Sequence, residues 1–223
     1  MGLGKGLGVM KILSVDSSSQ VLSAACVRFE NKAGHDEHEI LFRRDIPHAR
    51  ADSTALFVTL EQALRECGLP EALVIGLGPG SYNGLRASIS TLRAMATSLA
   101  IPLHAVPSPL ALPLDAPEFL AAGDARGGSF WAARISGDAF LREPSLISPA
   151  ELALLLEQDP SLPITGPSDL PGIPGLRAST PDAVRLAIVA RSNDPFYVCT
   201  STPEPLYLKP PHITEPRKPH VTA

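Results

Sequence analysis

The chain has 223 residues, of which 44% are hydrophobic and 19% charged, and its formal net charge is −4. This composition is typical of an ordinary globular protein, and the length suffices for one larger domain or two modest lobes. The basic residues are dispersed, which disfavours tight RNA binding by the chain alone, because neutralising phosphates requires a basic surface.

Three widely spaced cysteines without a CxxC motif exclude a disulfide framework and a zinc cluster. They favour a reducing, cytoplasmic location. No apolar run is long enough for a membrane helix, so we expect no membrane association.

The sequence of the N-terminal half predicts three strands, followed by helices that alternate with strands. Residues 1–9 are rich in glycine and too short for the apolar region of a signal peptide, so we expect a flexible extension. Alternating apolar residues predict strands, and apolar residues at helical spacing, closed by Gly68 and Pro70, predict a helix. The predicted strands are 11–16, 21–29, 39–46, 72–77 and 103–106, and the predicted helices are 52–67 and 85–99, with Asp52 and Ser53 as N-cap candidates.

A proline-rich stretch over residues 107–117 marks the predicted boundary between two lobes. We divide the chain into an extension (1–9), an N-terminal lobe (10–106), a C-terminal lobe (107–209) and a proline-rich tail (210–223). In the second lobe, the sequence predicts strands over 119–122, 130–135 and 163–165 and helices over 152–157 and 180–191. From Thr202 onward the chain carries six prolines and is expected to be extended or disordered. No tandem repeat is evident.

The loop between strand 72–77 and helix 85–99 is rich in glycine, and such loops can bind phosphate at a helix N-terminus. Its spacing lacks the last glycine of GxGxxG, and it has no Lys-Ser/Thr pair of a Walker A loop. We therefore predict a tight structural turn, in which glycine allows positive φ and close backbone approach. The residues assigned to this turn are Gly78, Pro79, Gly80, Ser81 and Gly84.

Other reactive patterns in the sequence are weak. No GxSxG elbow points to a serine hydrolase, and residues 35–38 (HDEH) fall in a predicted turn, which favours a solvated turn over a metal site. Residues 16–19 (DSSS) stand between two predicted strands, where actin-like ATPases place their first phosphate loop. Asp16, Ser17 and Ser19 are therefore candidate nucleotide-binding residues, although a plain hairpin turn explains the segment equally well.

The helix 85–99 carries an apolar stripe and almost no charge. The stripe recurs at heptad spacing and consists of Leu85, Ile89, Leu92, Ala96 and Leu99. The other positions are mostly small, and only Arg86 and Arg93 are charged, whereas surface helices normally present a charged outer face. The pattern predicts a helix that is covered on more than one side. Two explanations stay open: burial within its own domain, or burial against a partner helix.

The motifs of this chain resemble, in order, those of the TsaB/YeaZ family. Residues 78–86 (GPGSYNGLR) are similar to the family's GPGSFTGLR, with Tyr for Phe and Asn for Thr. Residues 12–19, 124–131 (DARGGSFW) and 205–209 (PLYLK) resemble its opening segment, its DARMGEVY-type segment and its closing PxYLR motif. The resemblance covers about residues 10–209.

The resemblance implies an α/β fold of the actin/Hsp70-like type, with two lobes of which the second is reduced. The family's catalytic relative, TsaD, carries a metal-binding HxxxH and transfers threonylcarbamoyl to N6 of a tRNA adenosine; this chain has no HxxxH. The implied role is a non-catalytic subunit that binds a TsaD-like protein and is joined by a TsaE-like ATPase. It would form a homodimer when alone and meet tRNA only through the complex. No cofactor is expected on this chain itself, and ATP or ADP at the interface of the complex stays open.

The partner interface implied by the resemblance lies on the helices 52–67 and 85–99. The assigned residues are Leu56, Phe57, Leu60, Leu64, Leu85, Arg86, Ile89, Leu92, Arg93 and Ala96. One alternative is an enzyme in its own right, either peptidase-like or an actin-like ATP-hydrolysing protein that uses Asp16 and Ser17. Another is a homodimeric scaffold of unrelated purpose.

Overall fold

The structure is a computed structural model that describes residues 9–32, 35–47, 54–113, 115–192 and 202–209. Its first sheet has five strands in the order β3-β2-β1-β4-β5. The first three strands form an antiparallel meander, and β4 and β5 run parallel to β1. The strands are β1 (Met10–Asp16), β2 (Val21–Lys32), β3 (His35–Pro47), β4 (Ala72–Gly76) and β5 (Leu103–Val106). Helix α1 (Thr54–Cys67) connects β3 to β4, and helix α2 (Tyr82–Leu99) connects β4 to β5.

The second sheet repeats the topology of the first. Its five strands follow the order β8-β7-β6-β9-β10, again with an antiparallel meander and two strands parallel to the first of them. The strands are β6 (Glu118–Asp124), β7 (Phe130–Ser136), β8 (Ala139–Ile147), β9 (Ile164–Gly166) and β10 (Arg177–Ala178), with helix α3 (Pro149–Gln158) between β8 and β9. A loop over 167–176 takes the place that α2 has in the first sheet, so the second half is reduced. This duplicated arrangement is the expected α/β fold of the actin/Hsp70-like type.

One face of the first sheet is covered by α1, which lies over β2 and β3, and by α2, which lies over β4 and β5. Because β4 is buried on both faces, all five of its residues are apolar or glycine. The resulting core cluster contains Leu13 and Val15 of β1, Leu73 and Ile75 of β4, and the inward residues of both helices.

The opposite face of the first sheet shares a core with the second sheet. Helix α4 (Ala183–Arg191) packs on β1, β2, β4 and β5 and on a short 3-10 helix, Ser108–Ala111. The same cluster includes Phe119 and Ala121 of β6 and Trp131 of β7. The alternate β6 residues Leu120 and Ala122 point to the other side, where α3 packs, so period-two alternation along one strand serves two cores.

Hydrogen bonds between distant segments fix the start of α4 on the first sheet. The Ser14 hydroxyl donates to the carbonyl of Ala183 at 2.6 Å, and the Ala183 amide donates to Ser23 Oγ at 3.0 Å. The Asp182 carboxylate accepts from the Val184 amide at 2.7 Å and caps the helix. These bonds satisfy polar groups at a buried helix end, which would otherwise destabilise the fold.

Several element boundaries differ from the sequence predictions. Helix α2 begins at Tyr82, three residues before its apolar stripe, and β3 begins at His35, so residues 35–38 lie in a strand and not in the predicted turn. Strands β8 and β10 were not predicted, because β8 is largely solvent-facing and β10 has two exposed residues. The expected extension (1–9, apart from Val9), the N-cap candidates Asp52 and Ser53 and the tail 210–223 lie outside the described residues. The lobe boundaries stay a prediction.

Among the described residues, no helix combines the length and the apolar character that crossing a membrane requires.

His104 of β5 is buried, with 1% of its surface exposed, and neither ring nitrogen has a hydrogen-bond partner within the described part of the chain. Burial lowers the pKa of this imidazole below its ordinary value, because the charged form loses hydration. The unfolded chain therefore takes up this proton at a higher pH than the folded chain does.

We expect the free energy of unfolding to fall as the pH is lowered from about 7 towards 5, since protonation of His104 favours the unfolded state. His104→Leu should remove this part of the pH dependence, as measured by urea denaturation at several pH values. His38→Gln, at an exposed histidine of β3, serves as the control and should keep the wild-type slope. Equal pH slopes for the His104→Leu variant and the wild type would contradict the prediction.

Candidate functional site

The candidate site lies where β1 and β4 end side by side. Because the two strands are parallel, their carboxyl ends bring the β1–β2 turn (17–20) next to the glycine-rich loop 77–81. The loop leads into the N-terminus of α2, and the 3-10 helix after β5 begins beside it. Ligands of open α/β sheets bind at such edges, which is why the polar residues here need individual description.

Asp16, at the end of β1, is fully buried, and its carboxylate is bonded within the chain. Oδ1 accepts from the Ser18 amide at 2.9 Å and from the Ser18 hydroxyl at 2.7 Å. Oδ2 accepts from the Ser108 hydroxyl, whose oxygen accepts from the Gly78 amide at 2.9 Å. The carboxylate therefore connects the β1–β2 turn, the glycine-rich loop and the 3-10 helix.

The assignment of Asp16, Ser17 and Ser19 as nucleotide-binding residues stays a prediction, and the structure shows what these side chains contact within the chain. Besides the bonds of Asp16, the Ser17 hydroxyl is buried and lies 2.7 Å from Ser88 Oγ of α2. The Ser19 hydroxyl oxygen accepts from the Val21 amide at 3.1 Å, as in a simple hairpin turn. The Asp16 and Ser17 side chains face their own fold, whereas Ser19 is partly exposed.

Glycine is required for two physical reasons in the glycine-rich loop and at Gly76, the last residue of β4 before it. Gly78 has φ of +86°, a conformation that L side chains rarely adopt. A Cβ at Gly76 would lie 1.9 Å from Asp16 Oδ2, and one at Gly80 would lie 2.2 Å from the Ser18 carbonyl oxygen. The loop also contains Pro79, after a cis peptide bond, and Ser81, whose carbonyl accepts from the Leu85 amide at 3.0 Å.

Residues 202–209, which we call the C-terminal strap, bring the three sequence motifs together. The Leu206 amide donates to the Leu77 carbonyl at 2.8 Å, and Lys209 Nζ donates to the Arg126 carbonyl at 2.6 Å. The ring of Tyr207 stacks on Tyr82 with 4.8 Å between centroids. The strap therefore touches the glycine-rich loop of the first half and the 124–129 turn of the second. Sequence reasoning missed these contacts, which join residues more than 80 positions apart.

An aromatic and cationic stack continues from the strap onto α2. Arg86 Nη1 donates to the Tyr82 hydroxyl at 2.6 Å, and the Arg86 Cζ atom lies 5.2 Å from the centroid of the Tyr82 ring. Burial raises the pKa of Tyr207, and the neighbouring Tyr82 raises it further. The Tyr207 phenol therefore stays neutral near pH 7.

The structure corrects most of the predicted partner interface. The apolar stripes of α1 and α2 face their own sheet, and these side chains are at most 6% exposed: Leu56, Leu60, Leu85, Ile89, Leu92 and Ala96. Leu64 is half-buried and packs on the same cluster. The apolar stripe of α2 is therefore buried against the sheet of its own chain, which is the first of the two explanations left open by the sequence. Of the assigned interface residues, Phe57, Arg86 and Arg93 remain exposed.

What remains accessible on these helices is an outer helix face, which we define by its exposed residues. On α1 it includes Phe57 and Val58, whose surfaces are 56% and 46% exposed. On α2 it consists of Arg86, Ala87, Ser90, Arg93, Ala94 and Thr97. Exposed aromatic and branched side chains on one helix, and small exposed residues on the other helix of the same layer, are a pattern that fits a protein contact.

Two solved structures resemble the chain over most of its length. A crystal structure of an uncharacterised protein with similarity to peptidase YeaZ, from Pseudomonas aeruginosa, covers 90% of this chain and 100% of its own, with a TM-score of 0.69 and 21% identity. YeaZ from Pseudomonas aeruginosa covers 89% of this chain and 100% of its own, with a TM-score of 0.66 and 22% identity. The chain has a YeaZ-like fold. The resemblance found in the sequence motifs is confirmed at this level.

Sequence comparisons point in the same direction. The sequence model of the TsaD family, described as tRNA N6-adenosine threonylcarbamoyltransferase, matches residues 47–138, which include α1, the glycine-rich loop and α2. An uncharacterised protein of Mycobacterium leprae is 30% identical over 186 residues, covering 77% of this chain and 50% of the relative. An uncharacterised protein of Mycobacterium tuberculosis is 28% identical over 102 residues, covering 44% of this chain and 46% of the relative. The chain thus spans about half the length of the curated relatives it matches.

Gly76→Ala should destabilise the protein by about 3 kcal/mol, because the new methyl group would overlap the buried carboxylate of Asp16. Urea denaturation measures this change. Gly84→Ala is the matched control, since its Cβ would meet atoms no closer than 3.6 Å. There we expect no loss, or a gain of up to about 1 kcal/mol from helix propensity. Equal stabilities of the two variants would show that the contact at Gly76 does not matter.

Proposed function

We propose that this chain is a partner-binding subunit, without a reaction centre of its own, that supports a TsaD-like transferase in the threonylcarbamoylation of tRNA adenosine. The observation that carries the proposal is the outer helix face, which lies on a YeaZ-like fold. The TsaD family match spans both of its helices. The match covers only about half of each of these curated relatives, so their activities do not enter this proposal.

The outer helix face fits a protein partner in its shape and composition. Phe57 and Val58 expose apolar surface. Burying that surface against a partner would stabilise the complex by about 25 cal/mol per Å². Ala87, Ser90 and Ala94 follow one another at helical spacing on α2, and small residues let a second helix approach closely. Aromatic residues are enriched in protein interfaces, and Phe57 is an exposed aromatic side chain of α1.

Charge supports an indirect contact with tRNA. With a net charge of −4, the chain offers little phosphate affinity by itself, so tRNA is held through the complex. A TsaE-like ATPase joins the pair, and the same face forms a homodimer when the partner is absent. If ATP or ADP binds in the complex, we expect contacts other than Asp16 and Ser17 to hold it, because both side chains are bonded internally.

The same internal bonds disfavour the alternative of an independent enzyme. An actin-like ATP-hydrolysing protein that used Asp16 and Ser17 would need both side chains to reach a substrate. Here Asp16 is 0% and Ser17 3% exposed. We therefore propose a cytoplasmic, non-catalytic subunit and not an enzyme in its own right.

Phe57→Glu and Ala94→Glu should each weaken binding to the TsaD-like protein of the same organism by at least about tenfold, because a carboxylate would enter the contact. Stability should change by less than about 0.5 kcal/mol, since both side chains are exposed. Co-purification and calorimetry measure binding, and thermal unfolding measures stability. Leu154→Glu is the matched control: it also places a charge at an exposed apolar helix position, 55% exposed, but on α3.

The control variant should bind the TsaD-like protein as the wild type does. Deleting the gene for this protein should lower the amount of threonylcarbamoyladenosine in tRNA. When expressed in that strain, the Phe57→Glu variant should restore this nucleoside less well than the Leu154→Glu variant. Wild-type levels of the modified nucleoside in the deletion strain, or full binding by both outer-face variants, would refute the proposal.

A further inference from the structure

Helix α2 has an unusual charge distribution. Its 18 residues contain no Asp or Glu, and its two cationic side chains, Arg86 and Arg93, are exposed on one side because they are seven residues apart. Among the described residues, neither guanidinium forms an ion pair. Other arginines do pair with carboxylates of the chain: Arg28, Arg43, Arg65, Arg134 and Arg185. The outer face of α2 therefore offers positive charge that no carboxylate in the described part of the chain neutralises.

Arg86 is held in one orientation by its neighbours. It donates one hydrogen bond to the Tyr82 hydroxyl at 2.6 Å, and its guanidinium carbon lies 5.2 Å from the centre of that ring. A guanidinium has five N–H donors in a planar fork, so this contact leaves an edge open for a carboxylate. An oriented fork loses less rotamer entropy on binding than a free side chain does.

The orientation of Tyr82 depends in turn on the C-terminal strap. Tyr207 stacks on Tyr82 with 25° between the ring planes. The strap is fixed on either side of Tyr207, by the Leu206 amide on Leu77 and by Lys209 on the Arg126 carbonyl. Tyr207, Tyr82 and Arg86 thus form a continuous stack from the strap to the outer helix face.

We propose that the partner presents a carboxylate-bearing helix to the outer face of α2, and that Tyr207 and Tyr82 position Arg86 to bind that carboxylate. This inference rests on the proposed function and names the chemistry of the partner surface. Small residues at positions 87, 90 and 94 let the partner helix approach, and Arg86 and Arg93 select one that carries acidic side chains. Tyr207 acts through Arg86 and is a positioning residue.

The test is calorimetric titration of the full chain with the TsaD-like protein of the same organism. Arg86→Ala should weaken binding by about tenfold, and Arg86→Lys by less, because lysine cannot form the fork. Tyr207→Ala should weaken binding several-fold although it lies off both helices, whereas Tyr207→Phe, which keeps the stacked ring, should stay within about twofold of wild type. Arg142→Ala, at an exposed arginine of β8, is the matched control and should bind as wild type does.

Two further measurements separate positioning from general damage to the fold. The double variant Arg86→Ala/Tyr207→Ala should bind no more than about twofold more weakly than Arg86→Ala alone, because Tyr207 acts through Arg86. Raising NaCl from about 50 to 300 mM should weaken wild type more than Arg86→Ala, since screening acts on the charge pair. Thermal unfolding checks each variant, and Tyr82→Phe, which removes only the hydroxyl acceptor, replaces Tyr207→Ala should that variant unfold.

Suppose that wild type binds the TsaD-like protein. Unchanged affinity of Arg86→Ala would then overturn this inference and leave the proposed function standing, and so would unchanged affinity of both Tyr207→Ala and Tyr82→Phe. Additive losses in the double variant would overturn the positioning role. A wild-type chain that does not bind the TsaD-like protein at all would refute the proposed function, and this inference with it.

Discussion

The buried carboxylate of Asp16 is the contact on which the arrangement of this chain depends. A fully buried carboxylate is tolerated only when donors surround it, and here they come from Ser18 and Ser108. Ser108 also accepts from the Gly78 amide, and Gly76 leaves no space for a side chain beside the carboxylate. The β1–β2 turn, the glycine-rich loop and the start of α2 therefore have one relative position, and the strap and the outer helix face are built on it.

The two halves of the duplicated topology share one core, and α4 joins them. By its place in the chain, α4 belongs to the second half, but it packs on the first sheet, where Ser14 and Ser23 bond to the backbone of Ala183. Its apolar residues join a cluster that also takes Phe119 and Trp131 from the second sheet. Each sheet thus buries one face against its own helix layer, and the remaining faces share a core.

The sequence predicted those features that local physics determines. The continuous apolar run of β4 and the helical spacing in α1 and α2 identified these elements, and motif resemblance identified the fold. The heptad stripe led the interface assignment astray, because periodicity shows that Ile89 and Leu92 are buried but not which surface buries them. The role of Asp16 was out of reach, because its partner Ser108 is 92 positions away. The duplication was also invisible, since the two sheets share topology and not residues.

The correction to the interface changes the kind of recognition that this surface can support. With the leucine stripe buried against its own sheet, α2 offers small side chains and two guanidinium groups, while Phe57 of α1 supplies the larger apolar contact. Because this surface has little apolar area, it does not form a large apolar patch that would promote nonspecific association. For the proposed partner, the apolar contact at Phe57 would supply affinity, and close backbone approach with matched charge would discriminate between a cognate helix and other helices.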